Sequence, residues 1–167
     1  MILSAQSIRR RRHVITPFVE RGVAFGMSYG VGPAGYDVRT RDSRWLWPKG
    51  TTLIDTLERF DIDTDLKLNV QDKSTWARRF VTVQNTTAEP GWRGILRIEL
   101  TNHSLWFRRI RAGMPIAQIE FNVLDEPTDT PYAGKYQDQM PGQNALFEED
   151  EIPLQPRHSL LWWLFHK

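Results

Sequence analysis

The sequence predicts a mainly β protein, a distorted β-barrel or jelly-roll-like sandwich with a short N-terminal helix. Sustained helical periodicity is absent after about residue 22, and Gly, Pro, Asn and Asp clusters separate short apolar or alternating runs. The runs of strand length are "YDVRT", "TTLIDTL", "LKLNV", "RFVTVQNT", "ILRIELTN" and "PIAQIEFNVL". Many short strands divided by turn residues are typical of closed or sandwiched all-β folds.

The N-terminal residues predict the single helical element. Ser4 is a suitable N-cap for a short helix that runs through Ile8 toward Arg12, with Leu3 and Ile8 available to face the core. After Leu124 the chain is rich in Pro, Gly, Asp and Gln, which predicts loop structure. We therefore expect one domain over residues 1–145, which ends in a polar loop segment from about residue 125, and a C-terminal extension of unknown role over residues 146–167.

Composition and charge narrow the function classes. The chain has 167 residues and a formal net charge of +2, which suits one soluble domain without an overall preference for polyanions. The block Arg9 to Arg12 is compatible with a nucleic-acid arm, but contacts with acidic neighbours are the simpler interpretation. No secretory signal is visible, so we expect a cytoplasmic protein.

The apolar run "LLWWLF" at residues 160–165 is too short to cross a bilayer, which requires about 20 residues. We expect it to pack on the domain or on a neighbouring subunit rather than to bind a membrane. Trp45, Trp47, Trp92 and Trp106 are expected to be core or interface side chains. Trp76 is expected to pack beneath the polar segment "DKSTWARR", in which it lies.

A zinc site is not expected. The chain has no cysteine, and its four histidines, His13, His103, His158 and His166, show no spacing typical of metal ligands.

The segment "DKSTWARR" predicts an anion site. Lys73 and Arg78 supply positive charge, and the hydroxyls of Ser74 and Thr75 can donate hydrogen bonds to an oxyanion or a phosphate. Such strings are also common on protein surfaces, so this motif alone does not decide the function.

The segment "EPGWRGILRIELTN" contains the most informative carboxylate. Strand alternation places Leu96, Ile98 and Leu100 on one face, with Ile95, Arg97, Glu99 and Thr101 on the other. From alternation alone, Glu99 is more readily interpreted as a solvated charge than as a group that moves protons.

The order of several segments changes that interpretation. "DKSTWAR", "EPGWRGILRIELTN", "GMPIAQIEF" and "PYAGKYQDQ" follow one another, after "MILS" and "GYDV" near the N-terminus. Together they resemble the deoxycytidine triphosphate (dCTP) deaminase family of the trimeric deoxyuridine triphosphatase (dUTPase)-like superfamily, over residues 1 to about 145. The resemblance implies a dUTPase-like β-clip fold, a homotrimer with shared active sites and a mobile lid formed by about residues 125–145.

The resemblance also implies site residues. Glu99 would be the catalytic proton shuttle, Ser74 would help to hold the attacking water, and Arg78 would position the glutamate. The implied substrate-binding residues are Lys73, Thr75, Glu89, Arg97, Ile98, Tyr132, Lys135 and Gln139. The chain departs from the family pattern at Lys73, usually arginine; at Glu89, often aspartate; at Asn85, often a small residue; and at Arg97, usually small or apolar.

The implied reaction is deamination of dCTP to dUTP and ammonia, which feeds dUMP and dTTP synthesis. Zinc-dependent deaminases activate water on a metal held by cysteines and histidine, so deamination by this chain would be metal-free at the chemical step. Mg²⁺ would enter bound to the substrate triphosphate, and dTTP is a candidate inhibitor. Two alternatives remain open: a bifunctional enzyme that releases dUMP and pyrophosphate, and a non-catalytic nucleotide-binding regulator. One carboxylate that accepts and then donates protons can serve every step of this reaction, which is the role that the resemblance implies for Glu99.

Overall fold

The computed structural model describes residues 1–143. Within this range the chain forms two short helices, one 3-10 turn and twelve strands. The helices are α1 (Ala5–Arg10) and α2 (Ser74–Ala77), and the 3-10 turn covers Arg12–Val14. The strands are β1 (Ile15–Thr16), β2 (Arg21–Ala24), β3 (Met27–Gly32), β4 (Gly35–Arg39), β5 (Arg44–Leu46), β6 (Thr51–Asp61), β7 (Leu66–Asp72), β8 (Val81–Val83), β9 (Thr87–Ala88), β10 (Arg93–Asn102), β11 (Arg108–Ile110) and β12 (Pro115–Val123).

Two antiparallel sheets enclose a single core. The larger sheet has the strand order β2-β3-β4-β12-β7-β9, and the other has the order β1-β6-β10-β8. A bridge between Thr40 and Thr56 joins them, and β5 and β11 form a separate two-stranded ribbon. Apolar side chains of both sheets belong to one buried cluster that includes Phe60, Ile98 and Ile119. The predicted mainly β, barrel-like fold is confirmed.

The N-terminal helix also follows the prediction. It begins after Ser4, and Leu3 and Ile8 are buried in the core. Two members of the arginine block pair with carboxylates: Arg9 with Glu20, and Arg11 with the two aspartates Asp63 and Asp65. These contacts match the interpretation that the arginines of this block contact acidic neighbours.

Three tryptophans lie outside the core. Trp45, Trp47 and Trp106 are each more than half exposed, so the core alternative is wrong for them and only the interface alternative remains. Trp76 is buried, and its Nε1 donates to the carbonyl of Pro115 at 2.8 Å.

The described residues include no helix long and apolar enough to cross a membrane. The apolar run at 160–165 and the predicted C-terminal extension, residues 146–167, lie outside the described residues.

Candidate active site

A cavity of about 690 Å³ lies beside the middle of β10, and we call it the Glu99 cavity. Its volume falls within the range of ~300–1,000 Å³ that is usual for small-molecule sites. The lining residues come from β6, from the segment around β9, from the turn before β10, from β10 itself and from residues 132–143. They are Leu53, Asn85, Thr86, Thr87, Ala88, Glu89, Trp92, Leu96, Arg97, Glu99, Tyr132, Tyr136, Gln139 and Gln143.

Strand β10 places Glu99 in this cavity because its side chains alternate between core and cavity. Ile98 is fully buried, whereas Arg97 and Glu99 on either side of it line the cavity. Leu96 belongs to the same buried cluster as Ile98 and Leu100, as the alternation predicts, and it also contributes to the cavity lining. The pairing of β10 with β6 shifts register between Ile95 and Arg97, which interrupts the regular ladder beside the cavity.

The carboxylate of Glu99 has an unusual environment. Its Oε2 atom is buried and accepts no hydrogen bond from the described part of the chain. Leaving a buried acceptor without a partner costs about 1–3 kcal/mol, so such groups often have a functional explanation. Leu53 is the cross-strand neighbour of Glu99 and supplies an apolar flank.

Residues 131–143, which we call the covering segment, lie along one edge of the Glu99 cavity. The amide of Tyr132 donates to Pro90 at 2.8 Å, and the indole of Trp92 donates to Tyr136 at 2.7 Å. Farther along, the amide of Ile95 donates to Gln139 at 2.9 Å. These contacts to β10 and to the turn before it bring Tyr132 and Gln139 to the cavity.

Arg97 is committed to an ion pair with Asp55 of β6. The guanidinium donates to both carboxylate oxygens, from Nε at 2.7 Å and from Nη2 at 2.9 Å. Burial alone would raise the pKa of Asp55, but the Arg97 hydrogen bond and the Gly142 amide together hold that pKa below its ordinary value. Asp55 was not predicted as a site residue.

A second cavity, of about 290 Å³, lies beside α2, and we call it the Lys73 cavity. Its walls are polar and carry both signs of charge. They consist of Arg21, Ser28, Tyr29, Val31, Gly32, Pro33, Asp37, Asp72, Lys73, Ser74 and Gln118. The buried Lys73 ammonium lies 2.6 Å from Oδ2 of Asp37, so its charge is already paired.

The anion motif "DKSTWARR" is therefore divided between environments. Ser74 is exposed at the start of α2 and lines the Lys73 cavity, whereas Thr75 is half-buried and lines neither cavity. Arg78 is exposed just after α2. One chain thus places Ser74 and Glu99 in two different cavities.

Other predicted site residues differ in how close they lie to Glu99. Glu89 lines the Glu99 cavity and forms an ion pair with Lys67 at 3.1 Å. Ile98 points into the core, so only its backbone can contact a ligand. Lys135 is exposed over the ring of Tyr136, outside the cavity lining.

Comparison with known proteins shows similarity to one family. A family model described as dCTP deaminase-like matches residues 38–124. The dCTP deaminase of Campylobacter curvus is 32% identical, over 79% of this chain and 90% of that protein.

Solved structures share the fold at lower identity. The 2′-deoxycytidine 5′-triphosphate deaminase of Agrobacterium tumefaciens superposes with a TM-score of 0.60 at 15% identity, covering 73% of this chain and 47% of that one. The dUTPase of phage phi11 of S. aureus, described with a structural Mg(II) ion, superposes with a TM-score of 0.51 at 15% identity, covering 61% of this chain and 84% of that one.

Proposed function

Because the chain belongs to the dCTP deaminase-like family, we propose that it hydrolyses dCTP to dUTP and ammonia. The observation that carries this proposal is the position of Glu99. Its Oε2 atom is buried without a hydrogen-bond partner in the described chain, at a cavity of about 690 Å³. A carboxylate in that position is available to a water molecule and to a base bound in the cavity.

In the proposed reaction, Glu99 takes a proton from the attacking water as the bond from oxygen to C4 of cytosine forms. It passes this proton to N3 of the ring. The proton left on the new hydroxyl then moves to the amino group, the C4–N bond breaks, and ammonia leaves as the C4 carbonyl forms. Glu99 serves each of these transfers, because one carboxylate can accept a proton and then donate it. The proposed step uses no zinc, which is supported by the lack of any cysteine to supply thiolate ligands.

Ser74 and Arg78 complete the site from a neighbouring subunit of a homotrimer. This part of the proposal is supported by their separation from Glu99, since Ser74 lines the Lys73 cavity of the same chain. In the trimer, Ser74 would hold the attacking water and Arg78 would orient the Glu99 carboxylate. Lys73 and Thr75 would lie near the phosphates.

The substrate enters as its Mg²⁺ complex, with the metal on the triphosphate. Tyr132, Lys135 and Gln139 contact the nucleotide from the lid, residues 125–145, which belongs to the same domain as residues 1–124. Glu89 faces the sugar, and the backbone of Ile98 contacts the base. Closure of such a lid excludes water from the reacting centre.

The test is to incubate the purified protein with each deoxynucleoside triphosphate and Mg²⁺, and to measure ammonia, pyrophosphate and nucleotide products. We expect dCTP to be the only one of these nucleotides that reacts, and its products to be dUTP and ammonia. Pyrophosphate and dUMP in addition would identify the bifunctional enzyme. Nucleotide binding without any product would contradict the proposal and indicate a regulator.

A further inference from the structure

Asp55 and Arg97 face each other across β6 and β10 as cross-strand partners. Their side chains are 4% and 14% exposed, and two parallel hydrogen bonds join the guanidinium to the carboxylate. A two-pronged arrangement of this kind fixes orientation as well as charge. The pair therefore forms a rigid part of the wall beside Glu99.

Both partners also bind the backbone of the covering segment, and they do so with opposite polarity. Asp55 accepts a hydrogen bond from the amide of Gly142 at 2.8 Å. Arg97 donates from Nη1 to the carbonyl of Gln143, also at 2.8 Å. One ion pair thus holds two consecutive residues of the segment, one through its donor and one through its acceptor.

A second Arg–Asp pair joins β10 directly to the covering segment, but both of its side chains are exposed. Arg93 and Asp138 have side chains 50% and 54% exposed. Exposed pairs contribute little because water and salt screen them, whereas removing one member of a buried pair leaves an uncompensated charge. The two pairs provide a matched comparison within one structure.

We propose that Asp55 and Arg97 are positioning residues, whose buried pair clamps Gly142 and Gln143 and thereby fixes Gln139 and Gln143 at the edge of the Glu99 cavity. Arg97, on this proposal, acts on the substrate through the covering segment rather than by direct contact. The consequence for substrate binding rests on the proposed function, whereas the clamp itself does not.

The test uses amide hydrogen exchange of the full chain together with steady-state kinetics. The double variant Asp55→Val/Arg97→Val removes the clamp without leaving a buried charge, and such replacements often preserve stability. We expect the Gly142 amide to exchange at least about tenfold faster, since a hydrogen bond to a charged group is lost. We expect kcat/KM for dCTP to fall at least about tenfold, mainly through KM, because binding contacts on the segment are lost.

Three further variants sharpen the result. The control Asp138→Asn removes the charge and tolerates the φ of 59° at this position, so it should change exchange at Gly142 and kcat/KM by less than about twofold, because the ion pair is exposed. The swap Asp55→Arg/Arg97→Asp restores attraction but places a donor against the Gly142 amide, so exchange should stay fast. Arg97→Lys keeps the charge and loses the two-pronged geometry, so exchange should be intermediate; it also serves if the double variants do not fold.

Unchanged exchange at Gly142 in the double valine variant, or protection restored by the swap, would overturn the clamp. Faster exchange with parental KM and kcat would overturn the positioning role and leave a purely structural pair. If the parent protein shows no deaminase activity, the proposed function fails, and the exchange measurements still decide whether the clamp exists.

Discussion

Lys73 and Asp37 form a buried ion pair in the wall of the Lys73 cavity, with 2.6 Å between Nζ and Oδ2. Ser28 completes the group by donating to the same carboxylate oxygen at 3.1 Å. The positive charge of Lys73 is therefore already balanced by the Asp37 carboxylate before any phosphate binds.

The first prediction concerns this pair. Asp37→Ala should lower the free energy of unfolding by about 3 kcal/mol or more, because it leaves the Lys73 ammonium buried without its counter-charge. Chemical denaturation checks the value. The control Glu20→Ala removes the partner of exposed Arg9 and should change it by no more than about 0.5 kcal/mol. Equal effects of the two variants would contradict the buried-pair interpretation.

Glu99→Gln tests the proton shuttle. The amide is close in shape to the carboxylate but cannot accept a proton from water, so ammonia release should fall by at least about 10²-fold, within the range attributed to general acid–base catalysis. Nucleotide binding, measured by calorimetry, should remain. The control Glu20→Gln changes an exposed carboxylate that lines neither cavity and should retain turnover. Turnover near the parental rate in Glu99→Gln would eliminate the shuttle role.

Shared sites predict complementation between inactive variants. If Glu99 and Ser74 of one site come from different subunits, an equal mixture of Glu99→Gln and Ser74→Ala chains contains some intact sites. Random assembly of a symmetric trimer leaves about a quarter of the sites with both wild-type residues. Co-expression with two affinity tags, followed by ammonia measurement, checks this fraction. Activity no higher than that of either variant alone would place both residues in one subunit.

The turn before β10 gives a prediction with an internal control. Gly91 and Gly113 have φ values of 80° and 77°, but a Cβ at Gly91 would lie 2.7 Å from Cβ of Pro131, while none of the described residues would lie within 4 Å of one at Gly113. Both alanine variants carry a backbone cost of about 1–2 kcal/mol. Gly91→Ala should be the more destabilising, and hydrogen exchange in the covering segment should rise only there. Equal thermal shifts would contradict the contact with Pro131.

The strand pattern and the position of Glu99 could be predicted from the sequence because both depend on local information. Alternation from Arg97 to Asn102 is set by the pleat of a single strand, and the structure follows it there. The register irregularity between Ile95 and Arg97 could not be predicted, because it depends on the partner strand, β6, which the local sequence of β10 does not reveal.

The ion pairs could not be predicted for a related reason. Lys73 and Asp37 are 36 residues apart, and Arg97 and Asp55 are 42 residues apart, so only the sheet pairing brings them together. The signal in the sequence was the unusual charge at Arg97, which a buried strand position can accommodate only with a counter-charge nearby. The resemblance to a family did not indicate that partner, because it implied a smaller residue at that position.

The pKa of Asp55 gives a pH-dependent prediction. Burial opposes ionisation, but the hydrogen bonds from Arg97 and Gly142 prevail and hold the folded-state pKa below the ordinary value of 3.8. The unfolded chain then binds more protons than the folded one near that pH, so the contribution of Asp55 is complete above about pH 5 and is lost as the pH falls through the folded-state pKa. Asp55→Asn resembles the protonated side chain. The difference in unfolding free energy between parent and variant should therefore shrink steadily below pH 3.8, as measured by denaturation at several pH values. A difference that stays constant with pH would show that the Asp55 carboxylate does not ionise differently in the two states.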